Sequence, residues 1–291
     1  METGCWICRR TLRGGVFLFH MFQARAIESF DSPELQPYRT MRRQMEHRQQ
    51  GIFVAEGEKV VRRLLESRFP VVSVLLPPKW LPELEPLLQA RPENIQVFVA
   101  DKELLETLTG FSMYQGLLAV GKVPAPPDLE DLLARSARPR LLAAVDGLSS
   151  AENIGALVRN CAAFNAHALL VGETSSSPFL RRAVRSSMGA VFQLPIIEAR
   201  NLVLSLRHLR AHGFRCIAAH PHADGRTLCQ AQFAKDCCIV FGSEGYGISP
   251  EALAACDEAA AIPMPPTVDS LNVGSAAAVF LYEANRQRGR T

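Results

Sequence analysis

No stretch of this 291-residue chain reaches the roughly 18–20 consecutive apolar residues that a membrane-spanning helix requires. That excludes a helical membrane protein and makes a cytoplasmic protein, with no membrane partner, the expectation. The apolar piece Val16–Phe22 follows several arginines, but it is too short for a secretory leader and lacks a small-residue cleavage site. A large charge excess is also missing. The net charge is only +3, so composition does not announce a nucleic-acid binder. Lysine is scarce, at 5 against 27 arginines. That balance suits phosphate recognition, because a guanidinium fork can hold two oxygens at once, and it equally fits a bias in composition. The pair Cys5 and Cys8 has no second CxxC at zinc-site spacing, so no metal is expected. Cys161, Cys216, Cys237, Cys238 and Cys256 lie in or beside apolar segments and read as reduced core residues. A G-x-G-x-x-G after the first strand of a βαβ unit is absent too, which argues against a nicotinamide dehydrogenase.

What is present is enough for two soluble domains, with 48% apolar and 21% charged residues. Residues 1–37 show no sustained period and read as a poorly ordered tail, or as an over-extended start with Met21 as the alternative beginning. From Tyr38 the pattern becomes regular. A basic helix over 39–49 leads to a strand at Ile52–Ala55 and a helix over 58–67. Strands at Val71–Leu76 and Ile95–Val99 flank a proline-bounded helical stretch, and a last strand lies at 117–120. The unit 38–122 is thus a small α/β sandwich. The segment 123–139, beginning Val-Pro-Ala-Pro-Pro-Asp, reads as a stiff linker. Over 140–291, apolar runs at 141–145, 168–171, 216–219, 238–241 and 259–262 alternate with helical stretches near 154–164, 200–212 and 271–286. Such alternation predicts a mostly parallel, doubly wound sheet.

Three loops in this second unit carry chemistry. They are Asn153-Ile-Gly-Ala-Leu-Val-Arg159, Val240-Phe-Gly-Ser-Glu-Gly-Tyr-Gly-Ile-Ser249, and the stretch from Ile262-Pro-Met264 to Asp269-Ser-Leu-Asn-Val-Gly-Ser-Ala276. Each joins glycine or small hydroxyls to one or two polar side chains beside an apolar run, where α/β proteins place their sites. Gly242, Gly245 and Gly247 allow the backbone to approach a ligand closely. Asp269, Ser270 and Asn272 are also suited to cap the last helix.

In this order the three segments closely resemble the SpoU/TrmH family of the SPOUT superfamily, over about 141–283 and more weakly over 38–120. The resemblance implies methyl transfer from S-adenosyl-L-methionine to a ribose 2′-hydroxyl of RNA, ribosomal RNA before transfer RNA, by a homodimer. It also implies a deep trefoil knot in the C-terminal domain, which spacing alone would never suggest. By the same resemblance Asn153, Arg159, Glu244, Ser270 and Asn272 are the catalytic set, with Arg159 the chief candidate. Gly242, Gly245, Ile262, Met264 and Leu271 are assigned to the cofactor. Arg159 is open to two roles, as a base or as a cation that binds phosphate and stabilises a developing alkoxide.

The first unit resembles the substrate-binding domain that precedes the catalytic one in many members, itself similar to small ribosomal RNA-binding proteins. Arg42, Arg43, Lys59, Arg62 and Arg63 there, and Arg181, Arg182 and Arg185 between the first two loops, are the candidates for RNA phosphate contact. Ser186, Ser187 and Gly189 are expected to shape a loop near the acceptor. The chain departs from the family pattern in three places. Ser150-Ala-Glu replaces a common Asp-Pro before Asn153, Asn165 stands where glycine is usual, and Gly274 replaces a common serine. A non-catalytic RNA-binding or ribosome-assembly factor on the same fold is the alternative of a different class.

Overall fold

The computed structural model describes residues 22–109, 116–221 and 226–290. Eleven strands are found among them: β1 (Phe22–Ala26), β2 (Ile52–Glu56), β3 (Val71–Leu76), β4 (Ile95–Val99), β5 (Leu118–Lys122), β6 (Leu141–Asp146), β7 (Ala168–Val171), β8 (Ile196–Glu198), β9 (Arg215–Ala219), β10 (Cys237–Gly242) and β11 (Glu258–Ala260). The helices are α1 (Gln36–Arg39), α2 (Gln44–Gln50), α3 (Glu58–Glu66), α4 (Leu81–Gln89), α5 (Lys102–Thr109), α6 (Leu129–Arg135), α7 (Ala151–Ala163), α8 (Arg181–Ser186), α9 (Leu202–Ala211), α10 (Pro250–Ala254) and α11 (Val273–Gln287). None is long and apolar enough to cross a membrane.

The strands form two sheets. The first has the order β1-β4-β3-β5-β2, parallel across β1, β4 and β3 and antiparallel from β3 through β5 to β2. The second has the order β11-β9-β10-β6-β7-β8 and is parallel throughout. Its central strands are apolar on both faces, as a sheet covered on both sides requires. Leu141, Ala143 and Val145 of β6 pack with α7 and α11, while Leu142 and Ala144 pack with α6, α9 and α10. Burial pushes the Cys161 and Cys237 thiols up to about 12, which keeps them protonated in the core.

Two sequence expectations need correction. The segment expected to be a tail through residue 37 contains β1 and α1, and β1 extends the first sheet beside β4. With four of its five residues exposed and Phe22 alone of its apolar residues packed on the core, its apolar signature is weak, and pairing with β4 makes it a strand. Within the expected linker, Asp128 caps α6 by accepting the Asp131 N–H, and Leu133 anchors the helix on the second sheet. Residues 1–21, with Cys5, Cys8 and Met21, lie outside the described residues.

The two sheets meet through an aromatic cluster. Phe53 and Phe69 from the first contact Phe179 and Phe192 from the second, with ring centroids 5.4–6.0 Å apart. Around this cluster Glu56 accepts from both Arg181 and Arg185, and Arg63 donates to the Met188 carbonyl.

At the amino edge of the parallel sheet, the buried Asp236 accepts the backbone N–H of Arg140 (2.7 Å) and two guanidinium bonds from it (2.9 and 2.6 Å). Burial alone would raise this carboxyl. The hydrogen bonds and charge of Arg140, with Arg138 beyond, outweigh it and hold the pKa below the ordinary aspartate value. A depressed acid stabilises the fold fully above the unfolded-state pKa, and that stabilisation is lost as pH falls through the folded value. Asp236→Asn is therefore expected to cost about 3–5 kcal/mol at neutral pH, since it breaks a buried pair. Urea unfolding at pH 7 and at pH 3 checks this, and the deficit should shrink at the lower pH.

Candidate active site

In a wholly parallel sheet every carboxyl end lies on one edge, and ligands bind there. On that edge β10 runs into the glycine-rich second loop. A Cβ on Gly242 would stand 2.1 Å from the Gly247 carbonyl carbon and 2.3 Å from the Ile248 nitrogen, so only glycine lets the loop fold back on its strand. Ser243 and Gly247 close the turn with reciprocal backbone bonds of 2.9 and 3.0 Å, and Gly247 takes a φ of +68°. The loop's far end is tied to β6, because Asp146 accepts the Ser249 N–H at 2.7 Å and Ser249 in turn caps α10. Glu244, Gly245 and Tyr246 are left exposed at the tip, Tyr246 almost completely so.

The first loop begins α7. Ser150 caps it by accepting the Asn153 N–H, so the departure from Asp-Pro keeps a functional helix start. Asn153 is the hub of the site. Its amide nitrogen donates to Glu244 Oε1, and its carbonyl oxygen accepts from Asn272 Nδ2 at 3.0 Å. Asn272 is also the N-cap of α11, its Oδ1 accepting the Gly274 N–H at 2.9 Å. Capping and site chemistry are thus combined in one side chain, with Oδ1 serving the helix and Nδ2 serving Asn153.

Two turns along α7, Asn160 shares the face of Asn153 and donates to the Gly274 carbonyl at 2.6 Å. Ala156 lies between them, and a Cβ on Gly274 would stand 3.1 Å from its Cβ. The glycine that replaces a common serine therefore permits a close approach of α11 to α7. Further along, Asn285 donates to the Phe164 carbonyl, and Asn165 ends the helix at a φ of +54°. Asparagine tolerates that conformation better than most residues, which accounts for its standing in for glycine.

Arg159 is exposed on α7, with no hydrogen bond or ion pair among the described residues. Ser270 and Leu271 are also exposed, while Ile262 and Met264 are half-buried in the irregular stretch between β11 and α11. The candidate phosphate contacts divide differently from the sequence reading. Arg181 and Arg185 are engaged with Glu56 at the junction between the sheets, and Arg182 reaches Glu152 at 3.4 Å. Arg62 binds Glu58 and Glu83, Arg43 binds Glu46, and Arg63 is held by the Met188 carbonyl. Lys59 is exposed on α3, and Arg42 is exposed just before α2.

Ser186 and Ser187 are used locally. Ser186 donates to the Glu152 and Ala183 carbonyls, Ser187 donates to the Val184 carbonyl, and Gly189 turns the chain at a φ of +81°. Sequence reasoning missed Asp146, Asn160 and Gly155. Asp146 is legible as the polar residue that ends a buried strand, and Asn160 as two helical turns beyond Asn153. Gly155 has no local signal. Its missing Cβ would lie 1.9 Å from the Ser186 hydroxyl, so it sets how closely α8 packs on α7.

A family model described as the SpoU rRNA methylase family matches residues 140–282. The 23S rRNA (guanosine-2′-O-)-methyltransferase RlmB of Salmonella typhimurium is 32% identical over 239 residues, covering 80% of this chain and 97% of the relative. An uncharacterized tRNA/rRNA methyltransferase of Mycobacterium tuberculosis is 33% identical over 240 residues, 81% of each chain. Among solved structures, the SpoU methyltransferase AviRb of Streptomyces viridochromogenes, in complex with the cofactor AdoMet, superposes with a TM-score of 0.76. It is 25% identical and covers 88% of this chain and 98% of that one.

The geometry of the second loop separates two of its glycines. Gly242→Ala is expected to destabilise the protein by about 1–3 kcal/mol, because the added methyl must splay the turn away from β10. Gly245→Ala should leave stability near that of the parent, since its Cβ would meet nothing within 4 Å. Thermal unfolding of the two variants beside the parent measures the difference.

Proposed function

This chain belongs to the SpoU rRNA methylase family, and from that membership we propose that it transfers the methyl group of S-adenosyl-L-methionine to a ribose 2′-hydroxyl of RNA. The observation that carries the reading is the hydrogen-bonded chain Glu244–Asn153–Asn272, which joins all three loops, with Arg159 exposed on the same helix as Asn153 and without a hydrogen-bonded or ionic partner among the described residues. The carboxyl edge fits the cofactor. Half-buried Ile262 and Met264 and exposed Leu271 offer apolar surface to a purine and a methionine chain, while Gly242 and Gly245 bring main-chain groups within reach without side chains in the way.

S-adenosylmethionine supplies an activated methyl with its own leaving group, so the protein's work is to align the acceptor and manage its charge. A guanidinium keeps its proton at physiological pH, so Arg159 serves as a cation that holds the phosphate beside the target ribose and stabilises the oxygen as its proton leaves. Asn153, fixed at both ends of its amide, sets the position of Glu244, and Ser270 stands in the same exposed loop toward the acceptor.

Ribosomal RNA is the proposed substrate. The Salmonella relative, which this chain nearly spans, is a 23S rRNA enzyme by name, and a separate α/β unit with its own five-stranded sheet precedes the catalytic one here. Transfer RNA is the second reading, favoured by the tRNA/rRNA naming of the mycobacterial relative. In this proposal the first unit, which begins with β1 and so takes in residues ahead of 38, binds RNA, and 140–291 form the methyltransferase domain, with the C-terminal segment tucked through a trefoil knot. The tie of Asn285 to Phe164 and the bonds from Arg288 to the Pro139 and Arg140 carbonyls support that course for α11 and its end. A homodimer completes the site. Support comes from Val279 and Tyr282, which α11 leaves 38% and 50% exposed, and from the absence of an acidic partner for Arg159 among the described residues.

Arg159→Ala is expected to lower methyl transfer to RNA by at least on the order of 100-fold while cofactor affinity stays close to that of the parent. Calorimetric titration with S-adenosylmethionine, set beside transfer of labelled methyl to separate ribosomal and transfer RNA pools, checks both halves. Equal loss of binding and transfer would contradict the role given to Arg159.

A further inference from the structure

On the opposite face of the parallel sheet from α7 and α11, the helices α6 and α9 bring Glu130, His208 and His212 together. We propose that these three side chains form a surface site for a divalent transition metal, with zinc the ion best matched to them. His208 and His212 lie one turn apart on α9, so their rings share a face, with centroids 4.3 Å apart. Glu130 comes from the first turn of α6, 78 residues away in sequence, and one of its oxygens meets His208 Nε2. The other oxygen lies 3.9 Å from His212 Nε2, too far for a hydrogen bond.

The two imidazoles are not equivalent. His212 Nδ1 donates to the His208 carbonyl at 2.9 Å, so in the metal-binding form of the ring Nε2 is the nitrogen left to face an ion. A backbone acceptor on the far nitrogen is the arrangement that orients metal-bound histidines. One donor atom from each residue lies within 4.8 Å of the other two. Tetrahedral ligands of zinc, at bond lengths near 2.1 Å, stand about 3.4 Å apart. Exposed side chains close that difference by small rotations.

Two imidazole nitrogens and one carboxylate favour zinc, nickel or copper over magnesium or calcium, which take oxygen donors. A fourth position faces solvent. An ion bound here would pin α6, and with it the segment that joins the two sheets, to the catalytic unit. The simpler alternative is a surface cluster in which Glu130 pairs with His208 and, more distantly, with His212, and binds no ion.

The test is calorimetric titration of the untagged full chain with zinc chloride in a non-chelating buffer, paired with thermal unfolding with and without zinc. One equivalent should bind and raise the melting temperature. Single replacements His208→Ala, His212→Ala and Glu130→Gln should each weaken binding by on the order of 10–100-fold, with unfolding in the absence of zinc little changed, because all three side chains are exposed. Cobalt in place of zinc should give the visible absorption of a four-coordinate site, lost in His212→Ala. Absence of one-to-one binding overturns the proposal. So does zinc binding that survives all three replacements, which would place the ion elsewhere. Neither failure bears on the methyltransferase reading, which uses none of these residues.

Discussion

The amide of Asn153 is the interaction on which the site depends. It is one planar group with a donor and an acceptor, and both are committed. The donor reaches Glu244, 91 residues on, and the acceptor receives Asn272, 119 residues on. A carboxylate of the same shape could not donate and an apolar residue could do neither, so the chemistry of the side chain decides whether three loops form one site. Because Asn272 also caps α11 through its Oδ1, the same side chain fixes where the last helix begins. The candidate site and the course of the chain are thereby coupled through a single residue.

The surrounding packing serves this junction. Small residues at Ala156 and Gly274 bring α11 against α7, Gly155 brings α8 against α7, and Gly242 folds the second loop onto β10. A Cβ would meet backbone at 2.1 Å on Gly242 and at 2.4 Å on Gly155, and on Gly274 it would press on Ala156 at 3.1 Å, so the site's precision derives from missing side chains as much as from present ones. On the other edge, Arg140 with Asp236, and Arg288 with the carbonyls of Pro139, Arg140, Phe233 and Lys235, secure the amino ends of β6 and β10. On the carboxyl side, the tip of the second loop with Glu244 and the stretch before α11 with Ser270 stay exposed.

Much of this was legible in the sequence, for physical reasons that also mark the limits. Buried parallel strands read as continuous apolar runs, so β3, β4 and β7 fall where the sequence places them, and β6, β9 and β10 differ by one or two residues at their ends. The polar members of the three loops stood out because asparagine, glutamate and arginine flank buried strands there. What the sequence concealed depends on contacts with remote residues. The strand β1 has only a short apolar face, Phe22, Ala24 and Ala26, and its pairing with β4 is visible only in three dimensions. Arg181 and Arg185 look like a free basic face until Glu56, from the other sheet, is placed between them. The meeting of Glu130 with two histidines of α9 likewise has no local signature.

In the proposed reaction the Arg159 guanidinium and the fixed amide of Asn153 direct a methyl group to a ribose oxygen. The most direct test is to incubate the full chain with labelled S-adenosylmethionine and unmodified ribosomal RNA, digest the product to nucleosides, and identify the labelled species. The account predicts a single 2′-O-methylated nucleoside, at a position where the RNA backbone becomes resistant to alkaline cleavage. Label on a base, or no transfer by a protein that binds the cofactor, would contradict it.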